Sequence, residues 1–311
     1  MFSFRFVPAA NKILVPGDIL ILVGIIGISL SLVLAVYKSP GQFPWDVMGG
    51  TGKVDNPYLI SSCVQLQNMA KDPTASYALA ADINCEGTSA WDDGHGFFPI
   101  GYYGFGFSGT FDGRGHPITN LFMRRESLDY AGMFGKLSSS AHIYDLSLDV
   151  DITAHDEVGG LAGWSSGANI ERVSVTGSVI GNNGVGGVLG VNQGTMKEVT
   201  SGVIVKGGQW VGGLAGLSYE ASSVLDSTVK GSITGQSEVG GLLGVSRGAT
   251  VERCLVSASI DGESHVGGIV GWLVPGVHTA AVVKKCTFTG KVNNSASGAE
   301  LIGAQGVNPE E

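Results

Sequence analysis

The chain has 311 residues, 50 of them glycine, with 18 Lys+Arg against 27 Asp+Glu and a net charge of −9. Glycine is more than twice its usual share of about 7%, while 43% apolar and only 14% charged residues exclude a disordered chain. The 10 prolines without a Gly-X-Y register exclude collagen, each interior glycine costs a helix about 1 kcal/mol, and the acidic balance argues against a nucleic-acid partner.

Residues 1–18 read as a short cytoplasmic N-terminus and residues 19–37 as a transmembrane signal anchor. Ile19 to Val36 holds no charged side chain, and at about 1.5 Å per residue it crosses most of a bilayer. Arg5 and Lys12 precede it, which places the N-terminus inside and the C-terminal body outside the cell. Two alternatives stay open. A signal peptide cleaved near Val33-Leu34-Ala35 would give a secreted protein, and a prepilin-type cut after Gly17 would give a filament subunit. Residues 38–46, with Ser39-Pro40-Gly41-Gln42-Phe43-Pro44, form a linker.

Residues 47–114 read as a small α/β N-terminal cap. Within it, Ser62 to Lys71 is expected to be a short helix with Ser61 or Ser62 as N-cap. Val64, Leu66 and Met69 would then cover the open first coil of the repeat region.

Residues 115–311 repeat themselves. Val158-Gly-Gly-Leu-Ala-Gly163 returns at Val185, Val211, Val239 and Val266, at steps of 26 to 28 residues, with a degenerate copy at Tyr130–Gly135 and a closing one at Gly298–Gly303. Aligning the copies produces apolar columns: Ile152, Val179, Val205, Ile233, Ile260; Leu148, Val175, Ser201, Val229, Val256; and Leu146, Val173, Val199, Ser227, Cys254. Ser147, Ser174, Thr200 and Thr228 fall between them, so the strands have one buried and one wet face. Ile143, Ile170, Met196, Val224 and Val251 add an inward column across a corner, and Trp164, Val191, Leu217, Val245 and Trp272 a further apolar stack. Such a unit cannot bury its own edge and must stack on its neighbours. The expected fold is all-β, a right-handed parallel β-helix of about seven coils of ~27 residues, with the cap and the transmembrane helix before it. The pairs Gly159-Gly160, Gly186-Gly187, Gly212-Gly213, Gly240-Gly241 and Gly267-Gly268 are expected at its corners, for positive φ or close backbone approach. Asp145, Arg172, Glu198, Asp226, Arg253 and Lys285 share one more column and read as a solvated charge ladder.

Cys63 and Cys85 lie in the cap, where export makes a bridge plausible, and Cys254 and Cys286 share an inward column of adjacent coils. The second pair is open to two readings, a disulfide or two reduced core cysteines. No Cys-x-x-Cys spacing supports zinc. His95, His116, His142, His155, His265 and His278 are isolated in sequence, with His155 and His265 expected to face solvent. Asp92-Asp93-Gly94-His95 is the densest polar cluster, followed by Asp112 and Arg114; ordinary turn chemistry accounts for it, a Ca²⁺ site or polysaccharide-cleaving acids being the alternative. No catalytic, metal or cofactor-binding residue is assigned, and no cofactor is expected.

The columns, together with Gly49-Gly50-Thr51-Gly52, Asn56-Pro57-Tyr58-Leu59-Ile60, Gly96-Phe97-Phe98-Pro99-Ile100-Gly101 and Phe107-Ser108-Gly109-Thr110-Phe111-Asp112-Gly113, resemble the GLUG-repeat family of bacterial surface proteins from about residue 47 to 303. The resemblance implies a right-handed β-helix of GLUG-type repeats at the cell surface, in a family that includes adhesins and some immunoglobulin A peptidases. It carries over no catalytic residue, and no histidine here sits in His-Glu-x-x-His. The expected function is non-enzymatic: a membrane-anchored, exported module in adhesion or interaction with a surface protein or glycan. A polysaccharide-cleaving enzyme is the alternative by fold analogy alone. Such an enzyme needs acids and bases converging on one groove, whereas the wet face from residue 147 to 259 offers mainly Ser and Thr.

Overall fold

The computed structural model describes residues 49–293 and 300–305. The anchor at 19–37 and the linker at 38–46 lie outside the described residues; among those described, no helix is long and apolar enough to cross a membrane.

Strands stack in parallel into a solenoid of about six turns with three kinds of wall: an 18-stranded sheet, a five-stranded sheet and a seven-stranded sheet. The repeat sets the register. Val158, Val185, Val211, Val239 and Val266 are direct partners along the five-stranded wall, and Ile152 and Val179, Val179 and Val205, Val205 and Ile233 pair along the 18-stranded one. All four inward columns are buried, and they join the Val-Gly-Gly-Leu residues in one continuous core. The degenerate copy at Tyr130–Gly135 adds Ala131 to the five-stranded wall only as an isolated bridge to Val158.

Glycine and corner conformation separate in a way the sequence does not suggest. None of the ten paired glycines has positive φ. A Cβ on the first glycine of each pair would overlap the carbonyl oxygen three residues on, as with Gly212 and Ala215. On the second it would overlap the next coil, as with Gly213 against the Gly241 carbonyl and the Val229 side chain. These glycines therefore serve close approach alone. Positive φ falls instead on two columns of mostly non-glycine residues. One is the charge column, Asp145, Arg172, Glu198, Asp226, Arg253 and Lys285; the other lies one residue before each motif valine, Tyr130, Glu157, Gly184, Trp210, Glu238 and His265. Each non-glycine residue there carries about 1–2 kcal/mol of steric strain, held because the chain must turn at that place in every coil.

The cap is built into the solenoid. Tyr58–Ile60, Tyr77–Leu79 and Thr110–Asp112 are successive rungs of the 18-stranded sheet. Helix α1 spans Cys63–Asn68, with the Ser62 side chain accepting from the Gln65 amide at 3.3 Å. Leu66, Cys63 and the following Met69 are buried, but Val64 is 37% exposed, so Cys63 takes the covering role expected of Val64. Cys63 is bridged to Cys85, with Cα atoms 5.4 Å apart. The Gln67 side-chain amide completes the docking by donating to the Phe98 carbonyl and accepting from its N–H, both at 2.8 Å.

Candidate functional site

Along the seven-stranded wall, Ala162, Leu189, Ala215, Leu243 and Val270 point into the core. The residues two further on along the same strands pack instead in a separate cluster. That outer row pairs directly from rung to rung: Lys136, Trp164, Val191, Leu217, Val245, Trp272. The apolar stack read from the sequence is thus not core. Val191, Leu217, Val245 and Val274 form a second buried cluster outside the coil, covered by half-buried Trp164, Trp210, Tyr219 and Trp272.

Three members of the left-handed column one residue before each valine, Tyr130, Trp210 and His265, reach toward this row. Tyr130 meets Trp164 edge-on with centroids 6.0 Å apart, and His265 stacks on Trp272 at 6.0 Å. Trp164 reaches Tyr219 at 6.4 Å. Lys136 lies 4.5 Å over the Tyr130 ring and Arg247 5.9 Å over Tyr219. The last glycine of each motif makes this possible: a Cβ on Gly163, Gly190, Gly216, Gly244 or Gly271 would overlap the corner backbone of a preceding coil. At the cap end, Ile100 and Phe107 bridge to Phe134 and Leu137 as one further rung. The loop between them raises Tyr102 and Tyr103, 5.0 Å apart, with Tyr103 78% and Phe105 98% exposed. The half-buried rings of Trp164, Trp210, Tyr219 and Trp272 thus gather over the second cluster, and aromatic rings with polar edges suit contact surfaces.

Polar groups outside that cluster are mostly paired. Asp145 binds Arg172 at 2.6 Å and Asp226 binds Arg253 at 2.6 Å, so the expected ladder forms as two inter-coil pairs. Lys285 turns to Glu252 at 3.4 Å, and Glu198 meets Lys197 in its own rung. The hydrogen bond from Arg253 holds the Asp226 carboxyl below its ordinary value. His155 and His265 are half-exposed, but each is bound to a carboxylate of the preceding coil: Asp129 at 2.8 Å and Glu238 at 3.0 Å. His116 binds Asp82 at 2.7 Å. Asp129, His155 and Asp156 bring their ligand atoms within 4.8 Å of one another, an arrangement able to hold a divalent cation that sequence inspection missed. The signal was available, since Asp129 and Asp156 occupy matching positions of successive coils. The hydrogen bond to Asp129 holds His155 above its usual 6.5. Burial, then Asp156 and Asp129, pushes the Glu157 carboxyl up.

One groove gathers acids and bases, against expectation: Asp92, Asp93, His95, Arg124, Arg125 and Glu126 line it. Arg125 donates to Asp92 at 2.7 Å, to the Gly96 carbonyl at 3.0 Å and to the Phe97 carbonyl at 3.0 Å, and covers Phe98 at 4.9 Å. His95 Nδ1 donates to the Asp92 carbonyl at 2.7 Å. The guanidinium therefore staples the cap and already neutralises Asp92. Cys254 and Cys286 are free thiols in adjacent rungs, with the Cys254 N–H 3.4 Å from Cys286 Sγ.

Among known proteins, residues 157–180 match the model of the GLUG motif. The chain is 35% identical over 188 residues to halomucin of Haloquadratum walsbyi, covering 58% of this chain and 2% of halomucin. It is 31% identical over 134 residues to a Gly-rich membrane protein of Evansella cellulosilytica, covering 42% of this chain and 16% of that protein. It thus spans only a small part of these curated relatives. A solved structure described as an immunoglobulin A1 protease from Bacteroides ovatus superposes with a TM-score of 0.65 at 21% identity, over 83% of this chain and 86% of that one. A second, an IgA1 protease, gives 0.51 at 17% identity over 79% of this chain and 21% of that one. At such identities the likeness is one of fold. The chain thus carries a GLUG motif at residues 157–180 with copies of it in register along a parallel β-solenoid, and in this it is similar to GLUG-repeat proteins.

Proposed function

We propose that this protein is an exported, membrane-anchored β-helical surface module that works by contact rather than catalysis, in adhesion to a protein or glycan. The observation that carries the reading is the second apolar cluster. Trp164, Trp210, Tyr219 and Trp272 sit on the outside of a wall whose inner face already completes the core. A fold gains little from four large half-buried rings placed in water, whereas a contact surface needs such anchors. The relatives named as a mucin and as a membrane protein support a surface location. The anchor reading rests on residues 19–37 of the sequence, and N-terminal sequencing of native protein checks it: a start near Val36 would make the protein secreted instead.

Microspheres coated with the full chain test the contact reading, by adhesion to immobilised host proteins and polysaccharides. Replacing Trp164, Trp210 and Trp272 together by Ala is expected to abolish adhesion with the fold retained. Unchanged adhesion would overturn the reading.

A second reading, a polysaccharide-cleaving enzyme, draws its support from the groove at Asp92, His95 and Glu126. Release of new reducing ends that Asp93→Asn and Glu126→Gln both remove would favour it over the first.

A further inference from the structure

Cys254 and Cys286 stand opposite each other in successive coils. Glu252 pairs with Lys284 and Leu255 with Thr287 along the 18-stranded wall, so the positions between them coincide. Rungs about 4.8 Å apart put the two Cα atoms inside the range of about 4.4–6.8 Å that a disulfide spans. Neither residue is held within a strand: Cys254 falls between Thr250–Glu252 and Leu255–Val256, and Cys286 between Val282–Lys284 and Thr287–Phe288. Each thiol turns back to the carbonyl two residues earlier, Cys254 to Glu252 at 3.4 Å and Cys286 to Lys284 at 3.4 Å. The Cys254 N–H donates to Cys286 Sγ at 3.4 Å, so the second sulfur already lies against the first residue.

The two sulfurs differ in access. Cys254 is 3% exposed, whereas Cys286 is half-buried and can be approached from solvent. The hydrogen bond from the Cys254 thiol pulls Cys286 down to about 7, which populates the thiolate, the attacking form, near neutrality. The coil around Cys286 is also packed less deeply than the one before it. Val251, Val256 and Ile260 are fully buried, while their partners Val283, Phe288 and Val292 are half-buried. A bond between the sulfurs would close a loop of 32 residues over this weaker coil, as the Cys63–Cys85 bridge does within the cap.

We propose that Cys286 and Cys254 form a reactive pair that closes a reversible cross-rung disulfide with a disulfide-bearing oxidant, Cys286 entering first and Cys254 resolving. The Cys286 thiolate attacks one sulfur of the oxidant; the S–S bond breaks, one thiolate leaves and a mixed disulfide forms. Cys254 then attacks the Cys286 sulfur and expels the second thiolate. The two protons given up by the cysteines end on the two leaving thiolates, and two electrons pass from the pair to the oxidant. The inference is independent of what the outer wall contacts.

Incubation of the full chain with oxidised glutathione, followed by non-reducing digestion and mass spectrometry, tests it. Peptides joined through Cys254 and Cys286 are expected, and dithiothreitol should part them. Cys254→Ser should stop at a glutathione adduct on Cys286, and Cys286→Ser should leave Cys254 unmodified. Serine suits the site, since Ser227 is buried in the same column, and circular-dichroism spectra check that each variant folds. Amide exchange across residues 282–292 of the oxidised parent should be slower by about tenfold or more than in Cys286→Ser under the same conditions. Unmodified thiols in the parent would show the pair to be inert, and an adduct persisting on the parent's Cys286 would show that the sulfurs do not meet. An adduct on Cys254 of folded Cys286→Ser would reverse the order of entry. Each of these results would overturn the proposal, and the first two need no variant.

Discussion

Two columns of the solenoid share one backbone conformation and almost nothing else. Arg253 has φ 55 and Trp210 has φ 56, each at a left-handed corner repeated once per coil. At the first corner Asp145 meets Arg172 and Asp226 meets Arg253, so the column closes on itself and points into water. At the second, Tyr130, Trp210 and His265 lean over an outer wall and build a surface with Trp164 and Trp272. The strain is alike, about 1–2 kcal/mol per non-glycine residue. The fold therefore explains the corner, and only chemistry explains the difference: one column holds register, the other presents rings.

The largest effect should strike both corners together. Gly213→Ala drives a Cβ into the Gly241 carbonyl and the Val229 side chain, neither of which can give way. A loss of about 3 kcal/mol or more is expected, seen as a fall of about 10 °C in Tm. A melting point within about 2 °C of the parent would show that the motif glycines are not close-approach residues. Next in size, Trp210→Ala should cost most of the binding to the adhesion target while Arg172→Ala costs none, measured side by side on folded protein. Equal losses would erase the difference between the corners.

Proton linkage gives a smaller effect of opposite sign in two regions. Asp226 is held below 3.8 by Arg253, and Glu252 below 4.5 by Lys284. Lowered folded values contribute stability that is present above the unfolded pKa and lost as pH falls through the folded one. His155 is raised above 6.5 by Asp129, and Glu157 above 4.5 by burial. Raised folded values contribute stability that is full below the unfolded pKa and lost as pH rises through the folded one. Amide protection near Glu157, with the intrinsic exchange rate at each pH divided out, should therefore fall as pH climbs past about 6.5, and Asp129→Asn should flatten that fall. Protection near Arg253 should fall only below about pH 4. The smallest effect concerns the thiols. The hydrogen bond from Cys254 pulls Cys286 down to about 7, while Cys254 is pushed up by the same bond and by burial. Iodoacetamide should label Cys286 first, as mass spectrometry would show; the reverse order would contradict the geometry.

Much of the fold is legible in the sequence because a parallel solenoid stacks like on like. Ile152, Val179, Val205, Ile233 and Ile260 announce a buried column by repeating it. What hides is whatever the stack does not make uniform. Tyr130, Glu157, Gly184, Trp210, Glu238 and His265 share a conformation but no chemistry, so alignment gives no hint that they form a column. The glycines beside them draw the expectation of positive φ to the wrong residues. The row of Trp164 to Trp272 is visibly apolar, yet only the fold reveals that it packs as a cluster separate from the core. The bond between His155 and Asp129 spans a coil step through an irregular corner, where no strand period applies.

Whether two identical turns do different work comes down to a pair of matched glycine substitutions. Trp210→Gly and Arg253→Gly relieve the same left-handed strain, and adhesion of microspheres coated with each full-length variant to the target that the parent binds can be measured against the parent. Parental binding is expected for Arg253→Gly and a loss of about tenfold or more for Trp210→Gly. Parental binding by Trp210→Gly, or an equal loss by both, would refute the division of labour between the corners.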